Sequence, residues 1–154
     1  MPETDRPRIL APAPLIYLAG FALVLAVHWI WPVSLTGHPG TPWIGRAVLF
    51  PGLALNLWGV WSMRRSGTPI NPYRPTRVLV AAGPFRISRN PLYTGLHLVL
   101  LGLVLILDSL WGPAIMGGVA LVMHLGVILP EERYLEARFG ERYRRYRATV
   151  RRYL

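Results

Sequence analysis

The sequence contains no cysteine, which removes disulfides, thiolate nucleophiles and cysteine-type metal sites together. It contains no lysine either. All 17 basic residues are arginine, so Schiff-base chemistry and a neutral-amine base are excluded. Charge of any sign is scarce, at 16% of 154 residues, and it is unevenly placed. From Ile9 to Met63 the sole formally charged side chain is Arg46, and from Pro91 to Pro130 it is Asp108. What is present instead is apolar surface. A hydrophobic content of 53% and a mean hydropathy of +0.35 exceed what a soluble fold of this size needs, and they point toward lipid.

The apolar runs predict an all-α, polytopic membrane bundle of about four transmembrane helices followed by a C-terminal amphipathic helix, in one domain over 1–154. The first run, 15–31, has the length that a hydrocarbon core of roughly 30 Å requires. It ends in His28, Trp29, Trp31 and Pro32 rather than in a small-residue cleavage site, so it is expected to be retained. A Pro- and Gly-rich connection leads to helix two at 44–63, where Pro51 and Gly52 predict a kink and Trp43, Trp58 and Trp61 mark the interfaces. Helices three and four, 92–107 and 110–129, read as a hairpin reversed at Asp108-Ser109. Gly112, Gly117, Gly118 and Gly126 are expected to allow close helix contacts.

The polar segments carry the arginines. The loop 64–91 holds six arginines and no acid, and the tail from Glu131 holds eight, whereas the other two connections hold none. The positive-inside pattern therefore places both termini on the cytoplasmic side of a cell membrane. It also explains the net charge of +10 more simply than nucleic-acid binding does. In the tail, Leu135, Phe139, Tyr143, Tyr146 and Val150 recur on one face of a helix that Gly140 interrupts, a face suited to a membrane surface or to the bundle.

Two segments hold more than topology demands. In GPFRISRNPLYTG, 83–95, Arg86 and Arg89 offer guanidinium forks, and Asn90-Pro91 stops the backbone just before helix three, with Tyr93 in its first turn. Headgroup anchoring and an N-terminal proline would account for part of this. Glu131 and Glu132 fall at the expected inner end of helix four, where the macrodipole disfavours acids, and this suggests ligand binding beyond an ordinary ion-pair network. Carboxylates, arginines and tyrosines together suit a zwitterionic or cationic ligand. The four histidines show no metal-ligand spacing, and no metal is expected; His97 lies one turn beyond Tyr93.

The combination RNPLYTG at 89–95 and EERYLEARFGERYRRYRATV at 131–150 resembles the isoprenylcysteine carboxyl methyltransferase family of integral membrane methyltransferases, over roughly residues 67–151. The resemblance implies a helical enzyme, not a Rossmann methyltransferase, that binds S-adenosylmethionine in a cytosol-facing pocket and releases S-adenosylhomocysteine. By motif position it implies cofactor contacts from Arg89, Asn90, Tyr93, Gly95, Glu131, Glu132, Tyr143 and Tyr146, with Arg133 and Arg147 as weaker candidates; His97, by its helical spacing from Tyr93, is a further candidate to line the pocket. Eukaryotic members carry histidine where this chain has Asn90, so imidazole chemistry is not available there. The acceptor would be lipophilic or membrane-associated, a carboxylate by preference, oriented by Arg86 or Arg89; a small thiol or a phospholipid amine are alternatives, and an acceptor needing a base would use Glu132. The competing class is a small transporter or structural membrane protein. Transport predicts an ionisable residue deep in a helix, and no acid is expected there. Oligomeric state is open.

Overall fold

The computed structural model describes residues 7–68, 76 and 78–153. Among these the chain is helical, with no strand beyond two isolated bridges. Helix α1 spans Ala13–Ile30, α2 Thr41–Arg65, α3 Pro91–Ile106 and α4 Gly112–Met123. A π turn over His124–Ile128 leads into α5, Leu129–Phe139, and α6 covers Glu141–Thr149. Each of α1 to α4 carries proline in its first two positions, where the missing N–H costs no helical bond.

α1, α2 and the continuous helix Gly112–Phe139 are long and apolar enough to cross a membrane, and α3 is a shorter apolar helix of 16 residues. Leu15, Leu18, Phe50, Leu57, Leu121 and Leu125 are exposed on the outside of the bundle. An apolar surface this extensive, on helices long enough to span a bilayer, suits contact with lipid. The interior is a cluster of Tyr17, Val24, Leu100, Val104, Met123 and Val127, contributed by α1, α3, α4 and the π turn.

The closest helix pair is α2 with α3, and glycine decides it. A Cβ on Gly45 would lie 2.7 Å from the Gly102 carbonyl oxygen, one on Gly52 would lie 2.8 Å from that of Gly95, and one on Gly102 would meet Leu49 at 2.6 Å. The spacing of seven in each helix keeps these residues on one seam. Of the glycines of helix four, Gly112 likewise admits a close helix contact, with α3, and the others do not. Gly117 and Gly118 face open space, Gly112 packs on Val104, and Gly126 packs on Leu10. α2 runs on through Pro51 as one helix.

A larger departure concerns Glu131 and Glu132. The helix does not end before them: it passes through the π turn and Pro130 and stops at Gly140, whose φ is 51°. The macrodipole argument for a cost at these positions therefore fails, because the unpaired carbonyls are a full helical segment away. Pro130 lacks the N–H that the Gly126 carbonyl would receive in an α-helix, and Leu10 N–H takes that carbonyl at 2.8 Å. The segment before α1 is thereby fixed across the π turn.

At the other end of the bundle Asp108, with φ of 49°, reverses the chain between α3 and α4. Its carboxylate accepts from Thr36 N and Oγ1 at 2.9 and 3.0 Å and from Gly37 N at 2.8 Å, which ties the α1–α2 connection to the α3–α4 turn.

Candidate active site

Between the ends of α2, α3 and α5, under α6, lies a cavity of about 460 Å³. Its walls come from segments far apart in sequence: Asn56, Val60 and Met63 from α2, Arg89 to Tyr93 at the start of α3, Glu131 and Glu132 from α5, and Tyr143 and Tyr146 from α6. Proline at 91 opens α3 and forces the preceding residues out of the helix, so Arg89 and Asn90 turn back toward α5.

Two adjacent carboxylates on a helix point about 100° apart, and here each has its own partner. Tyr93 Oη donates to Glu131 Oε2 at 2.8 Å, while Tyr17 Oη donates to the Tyr93 carbonyl at 3.0 Å. Glu132, buried, is held by Arg152, whose Nε and Nη2 donate to its two oxygens at 3.0 and 2.9 Å. Arg89 Nη1 stands 3.4 Å from Glu132 Oε1. Among the described residues Arg89 Nε and Nη1 and the Tyr143 hydroxyl are buried without a well-directed hydrogen bond, and the Arg89 guanidinium lies beside that hydroxyl. Burial raises the pKa of that hydroxyl, and the Glu132 charge adds to the effect against the opposing charges of Arg89 and Arg147, so it remains a donor. Tyr146 Oη donates to the Phe85 carbonyl at 2.7 Å and pins the 3₁₀ turn Gly83–Arg86 beneath α6.

The structure thus gathers Arg89, Asn90, Tyr93, Glu131, Glu132, Tyr143 and Tyr146 on one cavity. Three other candidates lie elsewhere. Gly95 sits in the α2–α3 seam against Gly52 and Asn56, His97 pairs with the Tyr17 hydroxyl at 3.5 Å through Nδ1, and Arg86 is exposed on the 3₁₀ turn. Arg133 is exposed, and Arg147 bonds Glu136 at 3.1 Å. Arg74 and Arg77 of the middle loop lie outside the described residues. Sequence reading missed Arg152, which looks like one more tail arginine, and it missed Asn56, a lone polar residue in an apolar helix that the cavity explains. Among the described residues no group of histidine and acidic side chains is placed to hold a metal ion.

A cavity with this donor set, built on membrane-spanning helices, is consistent with the two paired motifs of the sequence, and a family comparison decides what they belong to. The model of one family, phospholipid methyltransferase, matches residues 41–142, from the start of α2 into α6. The chain belongs to the phospholipid methyltransferase family. Comparison with curated proteins and with solved structures gives no match. Phospholipid methyltransferases are integral membrane methyltransferases related to the isoprenylcysteine carboxyl methyltransferases that the motifs resemble. The matched span includes every cavity residue named above except Tyr143 and Tyr146, so the family region and the cavity largely coincide.

Proposed function

We propose that the chain transfers a methyl group from S-adenosylmethionine to a lipophilic acceptor that reaches the cavity from the bilayer. The observation that carries this reading is the division of the cavity wall. Glu131, Glu132, Arg89 and Tyr143 supply one part of it, and Val60, Met63, Leu79 and Leu96 supply another.

The polar part fits the methyl donor by charge. An ammonium and a sulfonium call for carboxylates, a carboxylate calls for a guanidinium with donors to spare, and an adenine ring calls for aromatic faces such as Phe85 and Tyr146. The volume lies in the range of small-molecule sites. When bound, the donor supplies a methyl group on sulfur for in-line displacement. The protein's share is to align the two reactants and keep water out, for which rigid helices and an apolar wall suffice. Tyr93 orients Glu131 through Oε2, leaving Oε1 to receive a proton from the acceptor.

A carboxylate acceptor would compete with the donor's own carboxylate for Arg89, the one described arginine on the wall. A phospholipid amine is the second reading, and a specific feature favours it: Glu131 faces the cavity with a tyrosine as its hydrogen-bond partner and no arginine among the described residues beside it. Such a carboxylate attracts an ammonium and repels a carboxylate.

Calorimetry of S-adenosylmethionine and S-adenosylhomocysteine with the purified protein tests the donor assignment without the acceptor. Saturable binding of both is expected, and no binding by folded protein in detergent and in lipid overturns it. Incubation with methyl-labelled donor in bilayers containing an ethanolamine lipid or a fatty acid then separates the acceptors. Label that stays non-volatile after mild base, on nitrogen, supports the amine, and label that mild base releases as volatile methanol, as from a methyl ester, supports the carboxylate.

A further inference from the structure

The last described residues, Val150–Tyr153, leave α6 and run back across the site. Arg89 N–H donates to the Arg151 carbonyl at 2.8 Å, and the Arg152 carbonyl accepts from Asn90 Nδ2 at 3.0 Å and from Ser88 Oγ at 3.2 Å. Tyr153 Oη meets His124 Nδ1 of the π turn at 2.7 Å. This strap thus joins the start of α3 to the kink before α5, and it carries the Arg152 fork onto Glu132.

The fork has a consequence for Arg89. A buried carboxylate draws any nearby guanidinium into a short paired contact. Arg152 already occupies both Glu132 oxygens at hydrogen-bond distance, and Arg89 is left in a longer ion pair of 3.4 Å in which, among the described residues, its Nε and Nη1 make no hydrogen bond although its side chain is 9% exposed. Resting on the donor site proposed above, we infer that Arg152 is a positioning residue: by saturating Glu132 it keeps the Arg89 guanidinium open for the carboxylate of the bound nucleoside. Without Arg152, Glu132 recruits Arg89 and the anion subsite closes. Arg152 does not line the cavity, so it acts through Arg89 and Glu132 and touches no ligand.

The test compares two probes on the full chain in detergent: S-adenosylhomocysteine, which has the carboxylate, and methylthioadenosine, which lacks the amino-acid group. Arg152→Gln is expected to weaken S-adenosylhomocysteine about tenfold, the size of one charge-assisted hydrogen bond, and to leave methylthioadenosine within about twofold. In a Glu132→Gln background, Arg152→Gln is expected to add nothing, since no carboxylate remains to capture Arg89. Equal losses for both probes, an undiminished loss in the Glu132→Gln background, or unchanged binding in Arg152→Gln each overturn the inference while leaving the donor site standing. A wild-type protein that binds neither probe overturns the donor site and this role together. Should Arg152→Gln fail to fold, Arg152→Lys, which keeps the charge but cannot fork across both oxygens, replaces it: a loss confined to S-adenosylhomocysteine supports the role, and equal or absent losses overturn it.

Discussion

At the residue scale the site turns on two neighbouring glutamates with different partners. Glu132 sits in an arginine pair, and Glu131 meets a tyrosine beside the cavity. If Glu131 takes the acceptor's proton, Glu131→Gln lowers methyl transfer at saturating donor by about a hundredfold or more, beyond any loss of S-adenosylhomocysteine binding. Parallel calorimetry and single-turnover transfer check this, and a variant that retains transfer removes Glu131 from the chemistry. Tyr93→Phe is expected to give a smaller loss, because it removes the orienting donor and leaves the carboxylate. These candidates were legible as residue types next to motif signals. Arg152 was not, since only the chain's return across Ser88 and Asn90 sets it apart from the other tail arginines.

At the scale of the elements, the α2–α3 seam and the outer turn carry separate predictions. Gly102→Ala would place a methyl group 2.6 Å from Leu49 Cβ in a close helix contact, and the overpacking is expected to cost about 1–3 kcal/mol. Gly117→Ala meets open space and is expected to be neutral or mildly stabilising through helix propensity. Thermal midpoints in one detergent compare the two, and equal effects would discount the seam. At the outer turn, burial tends to raise the Asp108 pKa, but the donors of Thr36 and Gly37 outweigh it and hold the group below its ordinary value. A depressed carboxylate contributes stability that is fully present above its unfolded pKa of about 4 and is lost as pH falls through the lower folded value. Asp108→Asn is therefore expected to flatten the acid side of the Tm-against-pH curve, and an unchanged acid limb would show that the turn does not depend on this charge. The helix runs were legible because apolar length and opening prolines are local signals. The continuation through Pro130 was not, because a proline at the end of an apolar run reads as a stop until Leu10 is seen to take the freed carbonyl.

For the whole molecule, the cavity and the described parts of both arginine-rich segments lie at one end of the bundle, and the Thr36–Asp108 contact closes the other. On the positive-inside argument the cavity end faces the cytoplasm. The protein has no cysteine, so single replacements report cleanly. Ser66→Cys and Arg142→Cys are expected to react with a membrane-impermeant thiol reagent only from the cytoplasmic side, and His38→Cys only from the other. The reverse pattern would invert the topology, and mixed labelling of Ser66 and Arg142 would separate the two segments that the site brings together.

Composition and pattern by themselves determined that this chain is helical, that its helices belong in a membrane, and that its chemistry excludes cysteine and lysine, because solvation of side chains is a property each residue carries locally. Tertiary structure alone decided which arginine answers which glutamate, that Gly95 serves the α2–α3 seam and His97 the Tyr17 hydroxyl, and that the C-terminal strap carries Arg152 onto Glu132. Those outcomes depend on the close approach of segments up to 80 residues apart. At such separations the partners of a charge are set by helix packing and by the need to match every buried ion, and no local spacing encodes them.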